Sequence, residues 1–553
     1  MASKVFAWTC ELGFLGGLCA AVKYKYSYEN VPTDAAHTKN SFATFSKDSR
    51  REFYDVAIVG GGIVGVATAR EIRKQFPKKR VILLEKEADV AQHQSGHNSG
   101  VVHAGMYYPH DSLMARLCPR GHDLMMAYCR QNKLPCERVG KLIVAADENE
   151  IPAIEKLYEQ GVSNGVRELK MLRSEEEIKK VEPNVRGVCA LYSPDTAVAD
   201  FSAVARYMLK ELQNGARGLF DTQFRYEALD FVGLSINHNL HRPKDVPTEM
   251  VLIRGREDGQ LGPEKTIVAK NVITCCGLSN DLLARRSGSP LHWIGKKVSQ
   301  TFSFRGRYYQ LKPEARGLVS MNVYPAPDSR KALSVGVHFT PTVDERRGRQ
   351  IIIGPGSAVT THRYGYSPYC FDLEYCWNSF FSRGGWVNFI SNITTVAKTF
   401  SVDVSRAAFL REAQKLVPSL KDSDIEESFC GVMGLAVTES GGLEMDLAME
   451  LSRPRTMIAT SVKPDKVLEA QEGGDASEQT PSAPAAGGGG GGPLILNVRN
   501  APSPAPSAPA AGGGGGGPLI LNVRNAPSPA ATSCMAIAEE IVVTAKKNFE
   551  WGV

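Results

Sequence analysis

Three glycines at G-x-G-x-x-G spacing, Gly60, Gly62 and Gly65, indicate a binding site for a dinucleotide. An apolar run at 56–59 precedes them and helix-forming residues follow, so they lie on a predicted strand-to-helix turn. In such a turn Gly60 permits the tight reversal, Gly62 lets a pyrophosphate approach the backbone, and Gly65 lets helix and strand pack closely. The amino end of the helix then offers N–H groups and a partial positive charge to the phosphates.

An acidic residue follows the next apolar run at the distance that ribose binding requires. Val81–Leu84 is predicted as a second buried strand, and Glu85 comes 20 residues after Gly65. A carboxylate at that position suits the two hydroxyls of a ribose and repels a 2′-phosphate, so NADP is disfavoured. These features leave both FAD and NAD open.

The segment 92–105 is polar, rich in glycine and dense in histidine. A loop with so many small residues and hydrogen-bond donors can wrap a large planar ligand. We therefore expect His97, Asn98 and Ser99 to contact the cofactor. Each histidine taken alone could equally be a hydrogen-bonded structural residue.

Several motifs in the same order resemble the L-2-hydroxyglutarate dehydrogenase family, which are FAD enzymes of the D-amino-acid-oxidase-like superfamily. The resemblance covers Tyr54 to about Leu443 and resumes near Leu519. It rests on YDVAIVGGGIVGVATAREI at 54–72, HQSGHNSGVVHAGMYYPHDSLMARLC at 93–118, GKLIVA at 140–145, FRG at 304–306, GVHFT at 336–340 and VRNAPSPAATS at 523–533. It implies oxidation of L-2-hydroxyglutarate to 2-oxoglutarate, with FAD as hydride acceptor. It also implies transfer of the electrons to a carrier such as a quinone or an electron-transfer flavoprotein, in a mitochondrial setting in a eukaryote.

The fold implied by this resemblance is α/β, with a discontinuous Rossmann-like FAD-binding domain and a β-rich substrate domain. We assign FAD-binding segments to 51–145, 191–290, 425–471 and 518–553, and substrate-domain segments to 146–190 and 291–424. The remaining parts are a leader or tether at 1–50 and an insert at 472–517.

Two further stretches should position the flavin. Thr266–Gly277 is a β-rich apolar run ending in glycine, and the superfamily has a flavin-contacting turn where Gly277 stands. In 333–340 the alternation places large apolar residues on one face and Ser334, Gly336, His338 and Thr340 on the other. That small, polar face suits the roof of a cleft over the flavin ring.

Oxidation of a hydroxy acid requires a base for the hydroxyl proton, and histidine is the usual choice near neutral pH. His338 is the first candidate, because its strand face is otherwise small and polar. His97 and His103 are alternatives, which could place the flavin instead.

The two carboxylates of the implied substrate call for arginine forks or backbone N–H donors. Arg305, in the FRG segment, is the leading candidate. Arg116 and Arg363 are weaker candidates, since arginines on a solvated surface are commoner than arginines that bind ligands.

The last part of the chain carries a duplicated segment and a helix. The same 24 letters occupy 482–505 and 507–530, and only the second copy runs on into a predicted helix from about Met535 to Lys546. We therefore assign Asn525 and Ser528, rather than Asn500, to the cofactor site. The amino terminus of that helix could stabilise negative charge on the pyrimidine ring of the reduced flavin.

Three departures from the family pattern bear on activity. Met433 stands in Gly-Val-Met-Gly where the family usually has arginine, Arg307 replaces an acid after FRG, and the insert replaces a short turn. The alternatives are therefore a flavin enzyme acting on an amino acid or a glycerol phosphate, and a flavin-binding protein without turnover.

Composition limits the remaining classes of function. The 553 residues carry a net charge of +6 without a dense basic block, which gives nucleic acid no electrostatic footprint. The 12 cysteines form no C-x-x-C pair, which argues against a structural metal site. The apolar stretch Val5–Val22 is interrupted by Glu11, so it indicates a targeting leader, a weak, peripheral membrane tether or a disordered tail. The six-glycine runs in 472–517 predict a flexible insert.

Overall fold

The computed structural model describes residues 42–45, 53–215, 218–236, 247–259, 261–298, 300–327, 336–356, 358–380, 382–464, 494–500 and 517–552. The chain divides into two compact units, and the larger one comprises 53–234, 249–456 and 506–553. The expected leader at 1–50, apart from a strand at 42–45, lies outside the described residues, as does Val5–Val22.

Among the described residues the strands are β1 (Phe42–Phe45), β2 (Tyr54–Val59), β3 (Val81–Leu84), β4 (Val101–Val102), β5 (Cys136–Arg138), β6 (Lys141–Ala145), β7 (Lys170–Leu172), β8 (Cys189–Ser193), β9 (Ala197–Ala199), β10 (Phe220–Gln223), β11 (Tyr226–Ile236), β12 (Glu249–Glu257), β13 (Glu264–Thr274), β14 (Ser289–Ile294), β15 (Gln300–Leu311), β16 (Asn322–Pro325), β17 (His338–Pro341), β18 (Ile351–Gly354), β19 (Ala358–Val359), β20 (Ile425–Val437), β21 (Leu443–Glu444), β22 (Ala448–Arg453), β23 (Thr456–Pro464), β24 (Leu494–Asn500) and β25 (Ile520–Asn525).

The α-helices of the same residues are α1 (Ile63–Gln75), α2 (Leu113–Asn132), α3 (Ile151–Ser163), α4 (Glu175–Val181), α5 (Phe201–Gly215), α6 (Asn280–Arg286), α7 (Leu373–Phe380), α8 (Arg383–Ser391), α9 (Ile393–Val404), α10 (Arg406–Gln414) and α11 (Ala530–Asn548). Short 3-10 helices occupy Glu148–Glu150, Gly277–Ser279, Pro313–Leu318 and Asp422–Asp424.

A parallel sheet carries the glycine turn in the larger unit. Its parallel strands are β13, β2, β3 and β10, with β10 at the edge of the sheet. On the side of β13 away from β2, β25 pairs in parallel and β12 pairs antiparallel. All four residues of β3 are buried, as a strand covered on both faces requires. Helices α1, α2 and α11 pack together over this sheet, with Ile72, Met125 and Ile541 in one apolar core. The predicted Rossmann-like architecture is confirmed.

A second, mainly antiparallel sheet forms the β-rich part of the larger unit. Its order is β21-β20-β15-β18-β17-β16-β6-β8-β7, and β6 and β16 are its parallel pair. Val323, Phe339 and Ile353 bury one face of this sheet in a core of their own. The other face of β17 carries His338.

Two domain boundaries differ from the prediction. Strand β20, in the segment 425–471 assigned to the FAD-binding domain, pairs with β15 from Gln300 opposite Val437 to Leu311 opposite Ile425. Strand β6, within the segment 51–145, likewise belongs to the second sheet. The apolar pattern of each strand suits either sheet, and long-range pairing selects between them.

The smaller unit contains β1, β24 and most of β23, paired antiparallel, with Phe42 opposite Asn497. Residues 494–500 lie in the insert 472–517 for which no regular structure was predicted. The residues LILNVRN of the first copy therefore form a strand, just as the equivalent residues of the second copy form β25. The rest of the insert up to residue 516 is outside the described residues.

Candidate functional site

The glycine turn has the close contacts that its sequence predicts. Gly60 has φ +111°, and a Cβ atom there would lie 2.4 Å from the carbonyl oxygen of Cys275. A Cβ atom on Gly65 would lie 2.0 Å from the carbonyl oxygen of Gly60. Gly62 is the N-cap residue of α1, so its backbone faces the space in front of the helix. The turn therefore tolerates no side chain at the two positions where strand, turn and helix meet.

Glu85 lies at the end of β3, as predicted, and is tied to the turn. Its carboxylate accepts hydrogen bonds from the Gly61 N–H at 2.6 Å and the Glu87 N–H at 2.9 Å. Burial raises the pKa of Glu85, and these two donors act in the opposite direction. The carboxylate thus sits beside the glycine turn, at the edge of a cavity.

That cavity, the first cavity, has a volume of about 130 Å³. It runs from the glycine turn past Glu85 to Gly277, which has φ +53° and follows β13. Its lining includes Gly60, Gly62, Glu85, Gln94, Ser95 and Gly277.

A second cavity of about 240 Å³ adjoins the first, since Gln94 and Ser95 line both. It reaches the polar face of the second sheet and the amino end of α11. Its lining includes His97, Ser99, Arg305, Tyr324, His338 and Met433. The two cavities together form a long cleft that starts at the glycine turn and ends under a sheet, a shape that suits an extended dinucleotide.

Two residues of the polar loop were missed as individual candidates. The Ser95 hydroxyl accepts a hydrogen bond from the Ile63 N–H, the first of α1, at 2.9 Å. The Gln94 side-chain oxygen accepts one from the Gly434 N–H at 2.9 Å, which links the loop to β20. Both lie in the segment 92–105 that the composition had already singled out, but composition does not rank the members of a loop.

The three predicted loop residues all line the second cavity, but their side chains are held by different hydrogen bonds. The His97 Nδ1 lies 3.2 Å from the carbonyl oxygen of His93, and burial lowers the pKa of His97. The Asn98 amide donates to the carbonyl oxygens of Gln94 and Ser95, so it mainly shapes the loop. Ser99 faces the same cavity.

His338 lies on β17 with its ring against the second cavity, and its side chain is buried. Nδ1 is 3.0 Å from the Gly336 carbonyl oxygen, which can only accept, so Nδ1 carries the proton. The lone pair is therefore on Nε2, which is buried and has no hydrogen-bond partner among the described residues. Burial lowers the pKa of His338 to about 3. A neutral imidazole with a free lone pair is the form that accepts a proton.

His103, the other histidine alternative, lines the same cavity. It is half-buried, and desolvation lowers its pKa well below the usual value.

Arg305 lies on β15 and lines the second cavity, but it also has an internal partner. Its Nε and Nη2 donate to the Asp403 carboxylate, and both side chains are buried. Arg307 joins them through its backbone N–H, which donates to Asp403 at 3.3 Å. The guanidinium is thus held rigidly at the wall of the cavity.

The weaker arginine candidates lie elsewhere. Arg116 is exposed on α2 and lines neither cavity. Arg363 is buried, pairs with Asp281 at 2.5 Å and donates to the Leu278 carbonyl oxygen. Unlike Arg305, it lines neither cavity.

The end of the chain differs in part from the prediction. Asn525 does not line either cavity, because its amide donates to the carbonyl oxygens of Glu444 and Asp446 at 2.9 and 2.7 Å. Ser528 does line the second cavity. Helix α11 begins at Ala530, five residues before the predicted start, and its first turn reaches the cavity wall.

Two features are absent from the part of the chain that the structure describes. No helix there is long and apolar enough to cross a membrane. No group of three or more metal-binding side chains occurs in the same residues.

The comparisons with known proteins agree on one family. The FAD dependent oxidoreductase family (DAO) matches residues 55–449. The mitochondrial L-2-hydroxyglutarate dehydrogenase of Nematostella vectensis is 36% identical over 399 residues, which cover 72% of this chain and 83% of that protein. The human protein of the same name is 35% identical over 409 residues, covering 73% and 82%. The solved structure of the FAD-bound L-alpha-glycerophosphate oxidase from Mycoplasma pneumoniae superposes with a TM-score of 0.51, at 21% identity, over 70% of this chain and 84% of that one. That last likeness concerns the fold.

Proposed function

Since the chain belongs to the FAD-dependent oxidoreductase family and, within it, to the L-2-hydroxyglutarate dehydrogenases, we propose that it oxidises L-2-hydroxyglutarate to 2-oxoglutarate. The observation that carries the proposal is the juxtaposition of a glycine turn and a buried histidine along one continuous cleft. The turn suits a dinucleotide, and the histidine suits removal of a hydroxyl proton.

The residues of the first cavity fit FAD. A cradle that any Cβ atom would fill lies against the amino end of α1, which favours a pyrophosphate. Glu85 is placed to accept hydrogen bonds from ribose hydroxyls, and Gln94 and Ser95 would hold the part of the cofactor that passes between the cavities. When bound, FAD supplies a hydride acceptor.

His338 acts as the general base in this proposal. Its ring lines the cavity that the substrate would fill, and the Gly336 carbonyl fixes the required tautomer. A base with a pKa of about 3 is weak, but a dianionic substrate in the same buried cavity would raise that pKa toward the working range. Substrate binding would thus strengthen the base where it is needed.

Arg305 supplies positive charge at the wall of the same cavity. A guanidinium suits one carboxylate of the substrate, and the ion pair with Asp403 would keep it oriented before the substrate arrives. The amino end of α11 lies at the cavity as well, where a helix terminus favours negative charge.

Electron transfer to a membrane quinone, with peripheral attachment to the mitochondrial inner membrane, completes the proposal. Helices α7 to α9 and the segment before them expose large apolar side chains: Phe371 at 66%, Trp386 at 50%, Ile390 at 51%, Ile393 at 54% and Phe400 at 52%. An exposed set of this kind is typical of a docking surface. Sedimentation with cardiolipin-containing vesicles should fall in a Trp386→Ser/Ile390→Ser variant and persist in wild type; equal sedimentation would contradict attachment through this surface.

Anaerobic mixing tests the reaction itself. L-2-hydroxyglutarate should bleach the flavin absorbance near 450 nm, and its D-enantiomer should leave the absorbance unchanged. A yellow protein that L-2-hydroxyglutarate does not reduce would instead support a flavin-binding protein without turnover. Reduction by an amino acid or a glycerol phosphate would support the other alternative.

A further inference from the structure

A buried lysine, Lys141, lies close to the proposed base, His338. Lys141 is the first residue of β6 and is 1% exposed. Its neighbours Leu142 and Val144 point into the core of the second sheet, so Lys141 points to the opposite face, toward Tyr324 and His338. The ammonium nitrogen has no hydrogen-bond partner among the described residues.

Tyr324 separates the lysine from the histidine. The Lys141 Nζ lies 3.5 Å from the centroid of the Tyr324 ring, and the His338 ring stacks on Tyr324 with centroids 3.8 Å apart and planes inclined by 19°. Two groups this close to one ring centroid cannot share a face, so Lys141 and His338 lie on opposite faces of Tyr324. The charge and the imidazole are thus about 7 Å apart, through a buried aromatic ring.

The surroundings of this stack contain few opposing charges. No carboxylate pairs with Lys141 in the described part of the chain, and a second tyrosine ring, Tyr107, lies 4.7 Å from Nζ. The titratable groups that face Lys141 or His338 are His103, Tyr107, Cys118 and Tyr324, together with each other. A bound dicarboxylate would be the missing counter-charge.

We propose that Lys141 is a positioning residue for His338. The positive charge of Lys141, on the far face of Tyr324, keeps the His338 imidazole neutral while the dianionic substrate is bound. The proposal rests on the proposed function. A dianion in a buried cavity attracts a proton to the nearest base, and a protonated His338 could not accept the substrate hydroxyl proton. Lys141 carries that positive charge instead.

Two opposing effects act on the lysine itself. Burial lowers the pKa of Lys141 well below its usual value. The faces of two tyrosine rings and the bound dianion favour the ammonium form. The bound dianion therefore adds to the stabilisation that the tyrosine rings already give the ammonium form in the free enzyme.

Histidine-selective ¹³C NMR on the holoenzyme tests the proposal, with 2-oxoglutarate as a dianionic probe that oxidised flavin does not convert. The spectrum of a His338→Gln variant identifies the signal. In Lys141→Met, the pKa of His338 in the complex should rise by about one to two pH units, from one charge at that distance. Lys141→Arg should stay near wild type, and Lys170→Met, which removes an exposed charge from the same sheet, should not shift it.

The acidic limb of the kcat–pH profile should move upward by the same amount in Lys141→Met, with FAD content unchanged. An unchanged pKa in Lys141→Met would overturn the proposal. If Lys141→Met does not fold, Lys141→Gln replaces it. The wild-type protein also provides a test of its own, because a protonated His338 at pH 6 in the 2-oxoglutarate complex would refute the proposal. Failure of 2-oxoglutarate to bind would count against the proposed function, and the pKa of His338 without ligand, which Lys141→Met should also raise, would then decide about Lys141.

Discussion

Replacing Gly65 by alanine should weaken FAD binding. The new Cβ atom would lie 2.0 Å from the Gly60 carbonyl oxygen and 3.2 Å from its carbonyl carbon. Ordinary contact begins near 3.4 Å, so α1 must move away from the turn by about 1.4 Å. Overpacking of this kind costs about 1–3 kcal/mol.

That displacement acts directly on the cofactor site, because α1 contributes the N–H groups at its amino end. If the whole cost falls on binding, the Kd for FAD rises by about 5-fold to 150-fold, since about 1.4 kcal/mol is tenfold. The assay is a titration of apoenzyme with FAD, followed by fluorescence, together with the flavin absorbance per protein after purification. Gly317→Ala is the matched control, since its Cβ atom would have no neighbour within 4 Å. A Gly65→Ala enzyme whose Kd for FAD stays within threefold of wild type would refute the steric argument.

Three further predictions concern the second cavity. His338→Ala should lower turnover at least about a hundredfold while FAD stays bound, measured by flavin reduction under anaerobic conditions; unchanged turnover moves the role elsewhere. Arg305→Met combined with Asp403→Asn, which leaves no unpaired buried charge, should raise the KM for L-2-hydroxyglutarate at least tenfold, and an unaltered KM would remove Arg305 from substrate binding. The pKa of His338 falls on folding from its usual 6.5 to about 3, so the unfolded chain binds the extra proton and stability declines as pH falls below 6.5. Urea unfolding of His338→Gln should show a shallower loss of stability between pH 6.5 and 5, and parallel losses in the two proteins would contradict the shift.

Features that depend on neighbouring residues were predictable. The strand at 81–84 has the predicted bounds, and the strand predicted at 56–59 begins two residues earlier, at Tyr54. The glycine spacing likewise predicted the turn, because tight reversal and close packing are local requirements on three residues. Helix α11 was predicted, but its first turn was not, since Ala530 and Ala531 carry no strong signal of their own for a helix start.

Features that depend on residues distant in the chain were not predictable from the sequence. Asn525 looked like a cofactor ligand beside a helix start, but carbonyl groups about 80 residues earlier in the chain take its amide. Strand β20 was assigned to the wrong domain because its alternation does not specify which sheet it joins. Lys141 was not predicted as a site residue, since the sequence GKLIVA does not indicate that its lysine is buried.

By itself, the sequence determined several of the elements, the glycine turn and the set of histidines and arginines from which a site could be made. The strand expected over 333–340 is seen only from His338 to Pro341 among the described residues. The features that the sequence determined follow from periodicity, glycine spacing and residue chemistry, which act over a few residues. Only the tertiary structure decided which of them meet. Arg305 faces Asp403 across 98 positions, and His338 lies against Tyr324 with Lys141 behind it. Such pairings result from the order of strands in the second sheet and from the packing of α9 against it, and the contact energies that select them are summed over the whole core.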